Sequence, residues 1–144
     1  MSGHPIAAVL AGTPHRHPML LVDRIEAVDP GRSGTAIKAV SAGEAQREDA
    51  SADGLSPTLL VDALGQLAIV VLAAAGGNEK GVWYLGAVEQ MEFGEPARAG
   101  DVVRMEAAVR RTFRGSSRVS VSARVDGRPV AQGFMVLSTG AGRA

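Results

Sequence analysis

The segment PTLLVDALGQLAIVVLAAA, residues 57–75, restricts the possible folds of this chain more than any other stretch. Pro57 suits a first helical turn with Ser56 as N-cap, and the Gly76–Gly77 pair is a stop signal, so the segment is expected to be one long helix. It is apolar on nearly every face, and a helix without a polar face must be wrapped by other structure. A bilayer could also do the wrapping, but Asp62, Gly65 and Gln66 lie inside the segment, and a carboxylate at bilayer depth costs about 2.5 kcal/mol or more. A buried helix in a soluble core is therefore the expectation. Within such a helix an acid must be solvated, paired or proton-bearing. Asp62 is thus the leading candidate for chemistry, the alternative being a structural pair with Arg24, Arg98 or another base at a subunit interface. Gln66 lies one turn further on the same face, placed either to orient Asp62 or to hydrogen-bond across an interface.

What wraps the helix is read from its flanks. MLLVDRIEAV (19–28) is β-rich and ends at the turn signal Asp29-Pro30-Gly31, after which GTAIKAVS (34–41) alternates with a period near two. Beyond the glycines come VWYLGAVEQMEF, DVVRMEAAVRRTF, SSRVSVSARV and PVAQGFMVLS, separated by EPARAGD, RGS and DGRP. Two strands, one buried helix and four further strands make an α+β pattern, an antiparallel sheet curled around a single long helix. Residues 2–11 suit a short amphipathic helix through Ile6, Val9 and Leu10. Residues 42–56 are small, polar and acidic and suit an exposed loop, and the terminal TGAGRA suits a frayed tail. Trp83, Tyr84, Phe93, Phe113 and Phe134 are expected in the core or lining a tunnel.

At 144 residues, a single domain spanning 1–144 is expected. The 15 basic and 15 acidic side chains cancel without forming long runs, so neither nucleic acid nor an anionic membrane is an expected partner. With no cysteine there is no disulfide framework or thiolate chemistry, and three histidines without a compact acid cluster do not match metal-ligand spacing. No cofactor and no metal are expected. The opening MSGHPIAAVLAGTPHRHP lacks the basic flank and the long apolar run of a secretory signal, which makes the cytoplasm the expected compartment.

Three stretches carry a family resemblance. TPHRHPMLLVDRI, SPTLLVDALGQ and YLGAVEQMEFGEPARAGDVVRMEAAV resemble, in order, the first strand, the central helix and the later strands of the hot-dog-fold 3-hydroxyacyl-acyl-carrier-protein dehydratases. The similarity runs from about residue 10 to 138. It implies a homodimer or higher oligomer of hot-dog subunits, and an acyl chain on the phosphopantetheine arm of an acyl carrier protein threading a tunnel at the interface. It further implies that a histidine of one subunit and the helix acid of the other remove water from a 3-hydroxyacyl thioester. The helix acid maps onto Asp62 and the amide onto Gln66.

The chain departs from the family at two positions. The family's histidine sits in a Gly-His-Phe-Pro loop, whose ungapped counterpart here is Glu48, and no histidine follows His17. Glu48 is a candidate replacement base or a solvated loop acid, and His15 and His17 are candidates for a displaced catalytic role or for packing. The family's helix also opens with a glycine whose N–H polarises the thioester carbonyl; the counterpart is Pro57, which has no N–H. Thr58, at the open end of the helix, is a substitute donor. Arg110, Arg111, Arg114 and Arg118 form either a solvated face or a docking patch for an anionic carrier. The resemblance leaves three functions open: a dehydratase of fatty-acid or polyketide synthesis, a non-catalytic subunit of a heterodimeric dehydratase, and a hot-dog thioesterase or enoyl isomerase that relies on one carboxylate.

Overall fold

The computed structural model describes residues 19–45, 54–75 and 83–139. Six strands form one antiparallel sheet: β1 (Arg24–Asp29), β2 (Ser33–Ala39), β3 (Trp83–Phe93), β4 (Val102–Phe113), β5 (Ser116–Val125) and β6 (Arg128–Thr139). The spatial order is β1-β2-β4-β5-β6-β3, which leaves β1 and β3 at the edges. A short helix α1 (Ala42–Ala45) follows β2, and the long helix α2 (Pro57–Ala75) packs against the sheet. The expected architecture, a sheet curled around one long helix, is what these residues form.

Turn chemistry closes the hairpins. Pro30 followed by Gly31 at φ 73° shapes the β1–β2 turn, which Arg32 N–H closes by donating to Asp29 C=O at 2.9 Å. Asp126-Gly127 and Arg114-Gly115 both hold two consecutive positive φ values, the geometry whose twist matches that of paired strands. Along β5, Ser117, Val119, Val121, Ala123 and Val125 are buried while the residues between them are not. That alternation separates a face toward α2 from an outer face.

Helix and sheet meet closely. A Cβ on Gly34 of β2 would lie 2.6 Å from Val71 Cγ2 and 3.6 Å from Leu67 Cδ1, so only glycine admits the helix at that point. Gly31 N–H donates to the Val71 carbonyl at 2.9 Å and ties the first turn to the end of α2. By length and hydropathy α2 could cross a membrane, but every residue from Ala63 to Leu72 is buried in the protein. Burial of this size supplies most of the folding drive, at roughly 25 cal/mol per Å² of apolar surface.

Some expectations need correction. β1 begins at Arg24, not Met19, because the backbone groups of Met19 and Leu21 are taken by the Gln66 side chain instead of a strand. The stretch 42–56 is not simply an exposed loop. Ser41 and Glu44 cap α1 reciprocally, and Ala45, Gly54 and Leu55 are buried. None of the five aromatic side chains is buried: Trp83 and Phe134 are half-buried and the other three exposed. Tyr84, Phe113 and Phe134 occupy the outer sheet face, and the core is built from Leu, Ile, Val, Ala and Met. Thr139 ends β6 and is no tail. The expected helix 2–11 and residues 140–144 lie outside the described residues.

Candidate functional site

Which way Asp62 points follows from the helix wheel. Leu67 and Val71 meet Gly34 on β2, whereas the Gly65 position meets Met135 Sδ on β6 at 3.9 Å. At roughly 100° per residue, Asp62 lies about 60° further round than Gly65, past β6 toward the β3 edge. Its side chain is half-buried. On β3 the residue opposite Met135 is Val88, and its neighbours on the same face are Leu85 and Phe93. These three are 42%, 44% and 46% exposed although they share the helix-facing side of the sheet. Among the described residues β3 is an edge strand, and its apolar shelf lies on the helix-facing side in the direction that the wheel assigns to Asp62. Neither of the two surface cavities described below is lined by Asp62.

Gln66 is fully buried, and its amide is spent on backbone. Oε1 accepts from Leu21 N–H at 2.8 Å, and Nε2 donates to Met19 C=O at 2.6 Å. It pairs with residues 19–21 as a neighbouring strand would, and holds them across α2 one turn from Asp62. At the helix start Pro57 and Thr58 are both exposed. The N-cap is as expected: Ser56 Oγ accepts from Thr58 N–H at 3.2 Å, and Ser56 C=O accepts from Leu60 N–H at 3.0 Å. Thr58 N–H is therefore engaged, and a ligand oxygen there would share or displace the serine. Glu48, His15 and His17 lie outside the described residues, and no histidine occurs among the described residues.

Reading the sequence missed one pair. Lys38 Nζ donates to Glu44 Oε2 at 2.6 Å, and Lys38 is only 2% exposed. Burial pushes the Glu44 carboxyl up, but Lys38 together with the backbone and hydroxyl of Ser41 outweighs it and holds the group below its usual range. The signal was present in Ser-Ala-Gly-Glu (41–44), a capping-box spacing.

The arginine group occupies the far end of the outer face. Arg110 Nε donates to Ser120 Oγ at 2.9 Å, and Arg118 lies 3.8 Å from the Phe134 ring centroid with Glu89 at 3.4 Å. Arg111, Arg114 and Arg118 line a cavity of about 340 Å³ with Phe113. A broader groove of about 1090 Å³ crosses the same face over Thr35, Glu106, Ser120, Ser122 and Gln132.

A family model described as a FabA-like domain matches residues 13–134. The chain is 34% identical over 122 residues to the 3-hydroxyacyl-[acyl-carrier-protein] dehydratase FabZ of Ruminiclostridium cellulolyticum, spanning 83% of this chain and 86% of that protein. The chain belongs to the hot-dog 3-hydroxyacyl-acyl-carrier-protein dehydratase family. A second relative of that name, from Acidiphilium cryptum, is 33% identical over 131 residues, 88% of this chain and 79% of its own. Among solved structures, a chain of the dehydratase heterocomplex ApeI:P from Xenorhabdus doucetiae has the same fold. Its TM-score is 0.77 at 13% identity, over 91% of this chain and 90% of that one.

Proposed function

We propose that the chain is a dehydratase-type hot-dog subunit that binds, and in a dimer acts on, 3-hydroxyacyl or enoyl thioesters carried by acyl carrier protein in the cytoplasm. The observation that carries the reading is the half-buried acid Asp62 within the otherwise apolar helix α2. An unpaired edge strand bearing Leu85, Val88 and Phe93 is a template for a second subunit, and pairing there would enclose a crevice beside Asp62. An acyl tail needs such an apolar lining.

Dehydration requires a base for the α-proton, a donor for the thioester oxygen that gains charge, and an acid for the departing hydroxyl. The role left for Asp62 is the acid: it passes a proton to the hydroxyl, which leaves as water. The electron pair left by the α-proton forms the 2,3 double bond. The donor for the thioester oxygen is the Thr58 N–H, which that oxygen shares with or takes from Ser56 Oγ. The base is the open element, because the family's histidine position is Glu48 here.

A mixed dimer supplies it most simply, with a histidine-bearing relative completing the site around Asp62. Two observations favour this version: no histidine follows His17, and the fold matches that of a chain in a solved dehydratase heterocomplex. The carrier protein is anionic, and the exposed Arg111 and Arg114 with Arg118 offer it a salt-sensitive landing patch.

The test uses the purified chain alone and co-purified with a histidine-bearing family member, incubated with a 3-hydroxyacyl carrier-protein thioester. Loss of water is followed by mass spectrometry and free thiol colorimetrically. The mixed complex should dehydrate the thioester, and Asp62→Asn should lower the rate roughly 100- to 10,000-fold. Thiol release without water loss would assign a thioesterase instead. Failure of both preparations to bind or convert the thioester would refute the proposal.

A further inference from the structure

Lys38 is the only charged side chain among the described residues that is buried. It projects from β2 toward the helix side, in line with Gly34 and Ala36. From its ammonium a path of hydrogen bonds joined by short backbone links leads to the start of α2. Lys38 Nζ holds Glu44 Oε2 at 2.6 Å, and Glu44 Oε1 accepts from the Ser41 N–H and hydroxyl, both at 3.1 Å. Ser41 Oγ in turn accepts from Glu44 N–H at 3.2 Å, which closes α1 on itself. The last residue of α1, Ala45, accepts from Gly54 N–H at 3.2 Å, and Leu55 N–H donates to Ala97 C=O at 2.7 Å. Ser56 then caps α2.

The path has little slack. Gly54 is buried at φ 117°, and a Cβ there would lie 2.7 Å from Ala97 C=O and 2.8 Å from Pro96 Cβ. It cannot shift without moving the turn before β4. That turn is itself tied to the end of β2, where Val40 N–H donates to Asp101 C=O and Gly100 N–H to Val40 C=O, both at 2.9 Å.

A buried ion pair is a weak stabiliser, since desolvation offsets most of the Coulomb attraction and an apolar pair of similar volume often does as well. What an ion pair supplies that an apolar pair does not is direction. We infer that Lys38 and Glu44 are positioning residues that fix α1, and through Gly54 and Leu55 the first turn of α2, which carries the Thr58 N–H one turn before Asp62. Their relevance to the substrate rests on the proposed function. Their effect on the helix start does not.

The test compares wild type with Lys38→Met, Glu44→Gln and the uncharged double variant Lys38→Met/Glu44→Leu. Three quantities are read: the unfolding midpoint, residue-resolved amide exchange by NMR, and affinity for the carrier-bound thioester in the mixed complex. Each single variant should lower the midpoint, because Glu44→Gln leaves the buried ammonium without its counter-charge and Lys38→Met removes the charge-assisted bond that anchors Glu44. The double variant should recover most of that loss. Its amides from Gly54 to Leu60 should nevertheless exchange about tenfold faster than wild type while Leu67 to Val71 are unchanged, a sub-global opening confined to the helix start. Thioester affinity should fall with it. If the double variant regains both its midpoint and wild-type protection from Gly54 to Leu60, the pair is mere packing and the inference is overturned. Should the single variants not fold, the double variant alone decides. If wild type binds no thioester, the proposed function fails, while amide exchange still decides whether the pair sets the helix start.

Discussion

Replacing Gln66 by glutamate isolates the strand-like grip of its amide on residues 19–21. A protonated carboxyl has the same shape and can make both bonds, accepting from Leu21 N–H and donating to Met19 C=O in place of the amide at 2.8 and 2.6 Å. An ionised one keeps the first bond but sets its second oxygen against the Met19 carbonyl, in a site with no solvent exposure. Burial and the facing carbonyl both raise the folded-state pKa of the introduced group above its unfolded value near 4.3. Its contribution is therefore fully present below about pH 4.3 and is lost as pH rises toward the folded pKa. A carboxyl that stays protonated to pH 7 loses about 1.4 kcal/mol per pH unit across that window, roughly 3.7 kcal/mol in all. Urea unfolding of wild type and Gln66→Glu at matched protein concentration, from pH 4 to 8, gives this as a difference, so other titrating groups cancel. The variant should lie within about 1 kcal/mol of wild type at the acid end and fall steadily behind above it. A pH-independent gap, or no gap at pH 7, would refute the assignment of Gln66 to the Met19–Leu21 backbone.

Further outcomes follow from contacts elsewhere. Gly65→Ala should raise stability by about 1 kcal/mol in denaturant unfolding, because a mid-helix glycine is costly and the added methyl meets only Met135 Sδ at 3.9 Å; a loss would mean that this space is needed. Gly34→Ala should lower it by about 1–3 kcal/mol in the same assay, since the methyl would sit 2.6 Å from Val71 Cγ2. Val88→Lys on the exposed β3 edge should shift the proposed dimer toward monomer in sedimentation without unfolding the chain, and a dimer that persists in the variant would move the interface elsewhere. The Glu44 carboxyl is held below its usual range in the folded protein, so its stabilisation is complete above the unfolded pKa and lost as pH falls through the folded value. Glu44→Gln should therefore flatten the acid limb of the stability–pH curve, and an unchanged limb would place that titration on another group.

The elements most legible in the sequence are those whose cause is local. Residues 57–75 form one helix with the Ser56 cap, and the four later strands lie within a residue or two of where alternation and the Arg114-Gly115 and Asp126-Gly127 turns put them. Asp62 was legible as an acid in an apolar rod. What was not legible depended on partners distant in sequence. Residues 19–21 carry a strand's composition, yet the Met19 carbonyl and Leu21 N–H are claimed by an amide 47 and 45 residues away. Phe113 looked like core and is exposed, because the strand parity that turns it outward is fixed by a bulge between Val109 and Arg111.

The sequence by itself determined the long helix, its acid, the strand series and the family, because period, turn residues and motif spacing act between neighbours along the chain. Only the tertiary structure decided that Gln66 grips backbone, that Lys38 is buried on Glu44, and that Leu85, Val88 and Phe93 stay exposed on the helix-facing side of β3. Those outcomes depend on which surfaces meet when the sheet curls around the helix, and a pattern read along one segment carries no record of the surface it will face.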